Sequence, residues 1–318
     1  MCDPSLMREA RELALKAKSP NTVKRYKACW ARFTTWIKRN SAGSFPASPM
    51  DVGLFLTEIP RQATSMSTVY AYFYAIRWGH AINGQCDPTE DPFPKSILEG
   101  CKRSICGISI TKTPITPMIV ESICARYANS SNSLRECRFA CMAAFAFAGF
   151  LRIGELLSLK KNQVRISDGC LILFLPKSKT DVYGQGTEVV LSDVDSPACP
   201  RTVYASYQTF LENCEEDAFI FRPIASKKAR KFRSANRAMP YTKAREELRF
   251  FLRLLGHKPN EFTWHSFRHG GATTAANNDV PSRLLKAHGR WKSDKGCEIY
   301  IKNSLKNKKC VSASLFSV

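Results

Sequence analysis

The chain has 318 residues, 44% of them hydrophobic, enough for two domains of ordinary size with real cores and too apolar for a disordered tail. Lys and Arg outnumber Asp and Glu by 48 to 27, a formal charge of +21, which points either to a polyanion, most simply nucleic acid, or to a solvated basic surface. The 13 cysteines form no C-x-x-C pair, and the longest apolar patch, 142–151, is too short to span a bilayer, so a soluble chain in a reducing intracellular compartment is expected, with no signal peptide, disulfides or cysteine metal site.

Residues 1–18 read as a short charged helix. Ser19-Pro20-Asn21-Thr22 is a helix-opening signal, and Val23, Tyr26, Trp30, Phe33 and Ile37 follow at steps of three and four, one apolar face. Lys24, Arg25, Lys27, Arg32, Lys38 and Arg39 fill the remainder. Of these, Lys24, Arg25 and Lys27 are candidates for phosphate contact, with solubility as the plainer reading. A Gly/Ser/Pro loop at 41–49 precedes helices over 50–59 and 67–83, the latter carrying Val69, Tyr72, Phe73, Ile76 and Ala81. Pro88, Pro92 and Pro94 punctuate the chain before a short helix ending in Cys101-Lys102-Arg103. This first unit, residues 1–107, is all-helical. Residues 108–114 look extended, and a linker is placed over 108–115.

The second unit, 116–318, opens with helices over 116–128 and 135–150. On the latter, Cys137 and Cys141 lie four apart, where thiols behave as small hydrophobes. Residues 164–166, 170–175 and 187–191 then read as three strands, with Lys177-Ser178-Lys179-Thr180 at the tip between the last two. The basic run Lys227-Lys228-Ala229-Arg230-Lys231-Phe232-Arg233 reads as an exposed loop. Its Lys227, Lys228, Arg230 and Lys231 suit DNA backbone contact, nuclear import, or plain solvation. From Tyr241 the chain returns to helix. The whole is mainly α with a small antiparallel β-sheet.

Two arginines, a histidine and a late tyrosine stand out in this unit. Arg152, in Ala148-Gly149-Phe150-Leu151-Arg152-Ile153-Gly154-Glu155, interrupts an apolar helix where a charge is costly unless paired. Glu155, one turn on, is a natural partner, so a structural ion pair competes with a catalytic role. His265 and Arg268, in Trp264-His265-Ser266-Phe267-Arg268-His269-Gly270-Gly271-Ala272, lie three apart and share a helix face. Tyr300 follows Arg268 by 32 residues. Such a set suits attack on a phosphodiester, in which two guanidiniums neutralise the phosphate, an imidazole adds a hydrogen bond, and a phenol oxygen is the nucleophile.

In this order the residues resemble the tyrosine recombinase (phage integrase) family over most of the chain. The stretch 148–159 is similar to the family's first arginine box, at Arg152. Lys179 matches its hairpin lysine, and His265 and Arg268, followed by Gly271-Ala272-Thr273, match its His-x-x-Arg box. Tyr300, in Ile299-Tyr300-Ile301, matches its nucleophile. Gly289-Arg290-Trp291-Lys292-Ser293-Asp294 looks most like recombinases of eukaryotic mobile elements of the DIRS, Ngaro and Crypton kind. The family carries a histidine or tryptophan nine residues before the tyrosine. Here that place falls on Trp291, an indole donor, with Arg290 as the rival.

The resemblance implies a helical, SAM-like core-binding domain and an α+β catalytic domain that close on a DNA duplex. It assigns catalysis to Arg152, Lys179, His265, Arg268, Trp291 and Tyr300, supported by Glu155, through a 3′-phosphotyrosyl intermediate. No cofactor, metal, small-molecule substrate or membrane is expected. The partners would be double-stranded DNA and three further copies of the chain on two DNA sites. The location would be the nucleus in a eukaryote, otherwise the cytoplasm or nucleoid. A type IB topoisomerase-like nicking-closing enzyme and a domesticated, catalytically idle DNA-binding protein stay open as alternatives. The mildly apolar stretch 311–318 reads as a tail docking on a neighbour or as a frayed end.

Overall fold

Proline and small polar residues open the helices of the first unit. Pro4, Pro49 and Pro92 each occupy a first turn, where the missing N–H costs nothing, and the preceding Asp3, Ser48 and Asp91 accept from the free backbone N–H groups of Ser5, Asp51 and Phe93. In the computed structural model the described residues are 3–40, 45–61, 65–105, 112–129, 131–177, 181, 184–224, 232, 235–301, 309 and 313–315. They fall into two units, Met1–Ile110 and Thr111–Val318. Lys179, Lys227, Lys228, Arg230, Lys231 and most of the stretch 311–318 lie outside the described residues.

The first unit holds α1 (Pro4–Lys16), α2 (Pro20–Asn40), α3 (Pro49–Glu58), α4 (Met66–Ile82) and α5 (Pro92–Ser104). The apolar face expected on α2 is present: Phe33 and Ile37 are buried, and Trp36, which the spacing did not single out, packs half-buried against the same core. Phe33, Phe55 and Tyr72 meet edge to face across α2, α3 and α4. Ala81 is exposed, contrary to the expected α4 face. Pro92 and Pro94 do not interrupt the chain but start α5. His80 is a satisfied core histidine: Nδ1 lies 2.8 Å from the Ile76 carbonyl and Nε2 accepts the Ala47 N–H at 3.2 Å. Burial lowers its pKa, keeping it neutral. Lys24 and Lys27 are exposed on α2, whereas Arg25 donates to the Ser67 carbonyl at 2.8 Å and ties α2 to the start of α4.

The second unit holds α6 (Pro117–Tyr127), α7 (Leu134–Ala148), α8 (Ile153–Ser158), β1 (Val164–Ser167), β2 (Cys170–Leu175), β3 (Thr187–Ser192), α9 (Pro200–Gln208), α10 (Tyr241–Leu254), α11 (Trp264–Asn277), α12 (Ser282–Gly289) and α13 (Asp294–Glu298). Helix α7 is its axis, buried almost all round, with α6, α9 and α11 against it. Helix α9 was not anticipated. Pro200 opens it and Val203, Tyr204 and Tyr207 form its buried side, but nine residues are too few for a clear period. The strands form one antiparallel sheet in the order β1-β2-β3, with Ser167 opposite Cys170 and Leu173 opposite Val189. Leu171, Leu173, Leu175, Val189 and Leu191 face the core.

Residues at the expected linker's end are bonded into this second unit. Thr113 N–H donates to Glu261 and Ile115 N–H to Ser266, at 2.9 and 3.0 Å. Helix α11 approaches them so closely that bare glycine is needed. A Cβ on Gly270 would lie 1.8 Å from the Ile115 carbonyl oxygen, and one on Gly271 2.4 Å from that of Phe147. The close approach sets how deeply α11 seats against α7.

Cys124, Cys137 and Cys141 are buried free thiols, and burial pushes Cys124 up to about 12 and Cys137 up to about 11. They pack as hydrophobes. Among the described residues no helix is long and apolar enough to cross a membrane.

A buried ion cluster joins α7 to α10. Arg138, 1% exposed, gives Nη2 to both Glu247 oxygens at 2.7 Å and Nη1 to the Arg222 carbonyl, while Arg135 Nε donates to Glu247 at 3.0 Å. Glu247→Ala leaves Arg138 buried without its counter-charge, so a loss of about 3–5 kcal/mol is expected. Urea unfolding measures it, and an unchanged midpoint would show that water reaches Arg138.

Candidate active site

The first arginine enters through a broken helix. Helix α7 stops at Ala148, Gly149 caps it, and Phe150 turns the chain at a φ of 45°, which side chains rarely adopt. Arg152 thus stands between two helices, at the N-cap of α8, where the apolar helical segment after it begins. Its Nη1 pairs with Glu155 Oε1 at 2.7 Å, and its backbone N–H donates to Oε2 at 2.9 Å. Glu155 is 6% exposed and its Oε2 also meets Arg290 Nη2 at 3.0 Å. Burial works to raise the Glu155 pKa, but Arg290 and the hydrogen bonds and charge of Arg152 outweigh it and hold the carboxylate below its ordinary value. The expected ion pair exists, and it has a third member.

The second arginine is fixed by the way α11 anchors. Trp264 donates Nε1 to the Ala244 carbonyl at 2.8 Å and stacks on Phe267, both buried in the main core. That rotation sends His265 and Arg268 to the other side. Arg268 has no exposed surface; it donates Nη1 to the Phe150 carbonyl and Nη2 to the Gly289 carbonyl, the latter at 2.6 Å. Its Nε has no partner among the described residues. Burial, then the charges of Arg152 and Arg290, pull this guanidinium well below the usual arginine range. A cation so placed is short of an anion. The Arg152 charge is felt at Arg268, so the two guanidiniums lie within electrostatic reach of each other.

Tyr300 follows α13 and its ring is enclosed by the predicted residues. Ring centroids lie 5.0 Å from His265 and 5.1 Å from Trp291, and the Arg268 guanidinium carbon lies 5.1 Å from the tyrosine ring. Thr273 Oγ1 donates to the Tyr300 carbonyl at 2.9 Å. His269 lies 5.5 Å from the same ring, with Nε2 3.1 Å from the Ile299 carbonyl. His269 and Thr273 stand within the quoted motif without an assigned role, although their spacing of one and two turns from His265 was a usable signal.

The two rivals before the tyrosine point in different directions. Trp291 lies between Arg268, 4.4 Å away, and Tyr300, with its buried Nε1 unpartnered among the described residues. The ring rests on Gly289, where a Cβ would come within 1.9 Å of it. Arg290 turns away, to Glu155 and to the carbonyls of Gly149, Phe150 and His288. Its backbone is left-handed, φ 57° and ψ 41°, at a cost of about 1–2 kcal/mol for a residue with a Cβ. The structure thus gathers His265, Arg268, Trp291 and Tyr300, with Arg152 and Glu155 alongside, and Lys179 lies outside the described residues.

The chain is similar to the integrase/recombinase xerD homolog of Selenomonas ruminantium, 23% identical over 297 residues that cover 92% of this chain and 84% of that one. Among solved structures it resembles the XerH site-specific recombinase in a post-cleavage complex with palindromic difH substrate, with a TM-score of 0.63 at 14% identity over 98% of this chain and 85% of that one. It also resembles the Tn1549 transposon integrase in complex with circular intermediate DNA, with a TM-score of 0.56 at 15% identity over 93% and 94% of the two chains. These likenesses establish the fold. The phage integrase family model matches residues 115–307, more than half the chain and the whole of the site, and the chain belongs to that family of tyrosine recombinases.

Proposed function

We propose that Tyr300 attacks a DNA phosphodiester held by Arg152, Arg268, His265 and Trp291, leaving the strand joined to the enzyme through a 3′-phosphotyrosyl bond. The carrying observation is the enclosure of the Tyr300 ring by His265, Trp291 and the buried Arg268 guanidinium within one chain. Arg268 Nε and Trp291 Nε1 are donors in need of an acceptor, and non-bridging phosphate oxygens supply one. As charge builds on those oxygens, each preplaced donor lowers the barrier by about 3 kcal/mol. The phosphotyrosyl link conserves the bond energy, so rejoining to a new 5′ hydroxyl requires neither nucleotide nor metal.

Lys179 is assigned the proton that the departing 5′ oxygen takes up. Lys179→Ala is expected to slow cleavage by about 10²-fold or more. A 5′-bridging phosphorothiolate, whose thiolate leaves without a proton, should recover most of that rate; no recovery would remove the lysine from this role.

Lys24, Arg25, Lys27 and the basic run at Lys227, Lys228, Arg230 and Lys231 are assigned to phosphate contact, which makes duplex binding steeply salt-dependent. Four copies on two DNA sites, service to a mobile element of the DIRS, Ngaro or Crypton kind, and a nuclear location complete the proposal. The wording of Gly289 to Asp294 supports the element type.

The test is incubation with pooled duplexes nicked near possible cleavage points, followed by denaturation. Covalent protein–DNA adducts are expected, and sequencing the trapped strands gives the target. Salt-sensitive binding without adducts would instead favour an idle DNA-binding protein.

A further inference from the structure

Arg290 sits at the C-cap of α12 in a left-handed conformation that suits glycine. A glycine would be relaxed there, so what this position gains from arginine is the side chain. The guanidinium is 8% exposed and, among the described residues, its acceptors include the carbonyls of Gly149, Phe150 and His288 and Glu155 Oε2. Three of the four lie on the segment that leaves α7 and carries Arg152. The Phe150 carbonyl also receives Nη1 of Arg268, and Phe150 itself has a φ of 45°. Two cations distant in sequence thus fix one strained turn, and such strain persists only where its surroundings over-determine it.

Glu155 is shared between Arg152 and Arg290. A carboxylate with both oxygens open draws a guanidinium into a two-bond grip, the strongest geometry available to that pair. Here Oε2 is occupied by Arg290 and by the Arg152 backbone N–H, so Glu155 holds the Arg152 side chain through Nη1 alone. The remainder of the Arg152 fork is left for a phosphate oxygen. Three guanidiniums facing one carboxylate also leave the pocket net positive.

We infer that Arg290 is a positioning residue: by engaging Glu155 Oε2 and the carbonyls of Gly149 and Phe150, it holds Arg152 in the posture that receives the scissile phosphate. This rests on the reading of Tyr300 and its neighbours given above. Arg290 acts through Glu155 and the turn, to which its side chain is bonded.

Arg290→Gly is the informative variant, because glycine adopts this φ without strain and the backbone of the cap is kept. The probe is the nicked duplex recovered from wild-type adducts. Failure of the wild type to form a Tyr300-linked adduct would defeat the parent reading and is seen before any variant is made. With that adduct in hand, Arg290→Gly is expected to cleave roughly 10- to 100-fold more slowly. Its duplex affinity should stay within about threefold, since phosphate contacts elsewhere carry binding, while its melting point falls, because Glu155 and the carbonyls lose a buried donor. Added methylguanidinium should recover part of the rate and methylammonium should not. In a Glu155→Gln background, where the competing carboxylate charge is gone, Arg290→Gly should cost markedly less, a non-additivity that a purely structural residue would not produce. A wild-type rate, or a loss indifferent to methylguanidinium and additive with Glu155→Gln, overturns the inference. Should Arg290→Gly not fold, Arg290→Lys takes its place: charge is kept but fewer acceptors are reached, so an intermediate rate at wild-type affinity is expected and an unchanged rate is fatal.

Discussion

Tyr300→Phe is expected to bind DNA as well as the parent protein and to form no covalent adduct. The substitution deletes one oxygen. The ring contacts to His265, Trp291 and Arg268 use the aromatic face, and the Thr273 hydrogen bond goes to the Tyr300 backbone, so all of them survive. Stability should therefore shift by less than about 1 kcal/mol. Affinity should hold within about twofold, because phosphate contacts spread over the chain supply it. Removal of a nucleophile costs about 10⁴-fold or more in rate, so adducts fall below detection. Denaturing gels and gel shifts on the same nicked duplexes measure both quantities. Adduct formation by this variant would place the nucleophile on another tyrosine.

Elements governed by local rules could be read directly from the chain. Helices α2, α3 and α4 announce themselves by caps and apolar spacing, and the three strands by β-branched runs around Asp168-Gly169. The site was legible by order rather than by proximity: Arg152, His265, Arg268, Trp291 and Tyr300 each mean little alone. Proximity is what a single sequence does not carry. The Phe150 carbonyl takes donors from Arg268 and Arg290, 118 and 140 positions away, and no local pattern encodes a contact at that distance. The end of α7 was legible to within two residues, but its left-handed turn was not, since Phe150 adopts a positive φ under tertiary constraint rather than by propensity. Helix α9 was lost to brevity. Arg290 looks like a rival donor in the sequence because neither its left-handed backbone nor its bond to Glu155, 135 positions away, leaves a local pattern.

Arg268→Lys separates the two duties that burial gives this residue. Arginine here spans the Phe150 and Gly289 carbonyls with two nitrogens and still keeps Nε for a ligand. A lysine retains the charge but offers one nitrogen, which serves a carbonyl or a phosphate and not the full set. Leaving one buried carbonyl unmatched costs about 1–3 kcal/mol of stability. The larger effect falls on chemistry: with the planar fork gone, cleavage should drop by about 10²–10³-fold. Arg268→Ala goes further on both counts, since it also opens a cavity against Trp291, 4.4 Å from the guanidinium. Single-turnover cleavage and urea unfolding, run on both variants, distinguish the contributions. If the lysine variant cleaves near the wild-type rate while melting earlier, a point charge suffices at this position. Arg268 would then matter chiefly as the brace between the Phe150 turn and α12, and the second donor on the phosphate would have to come from elsewhere in the pocket.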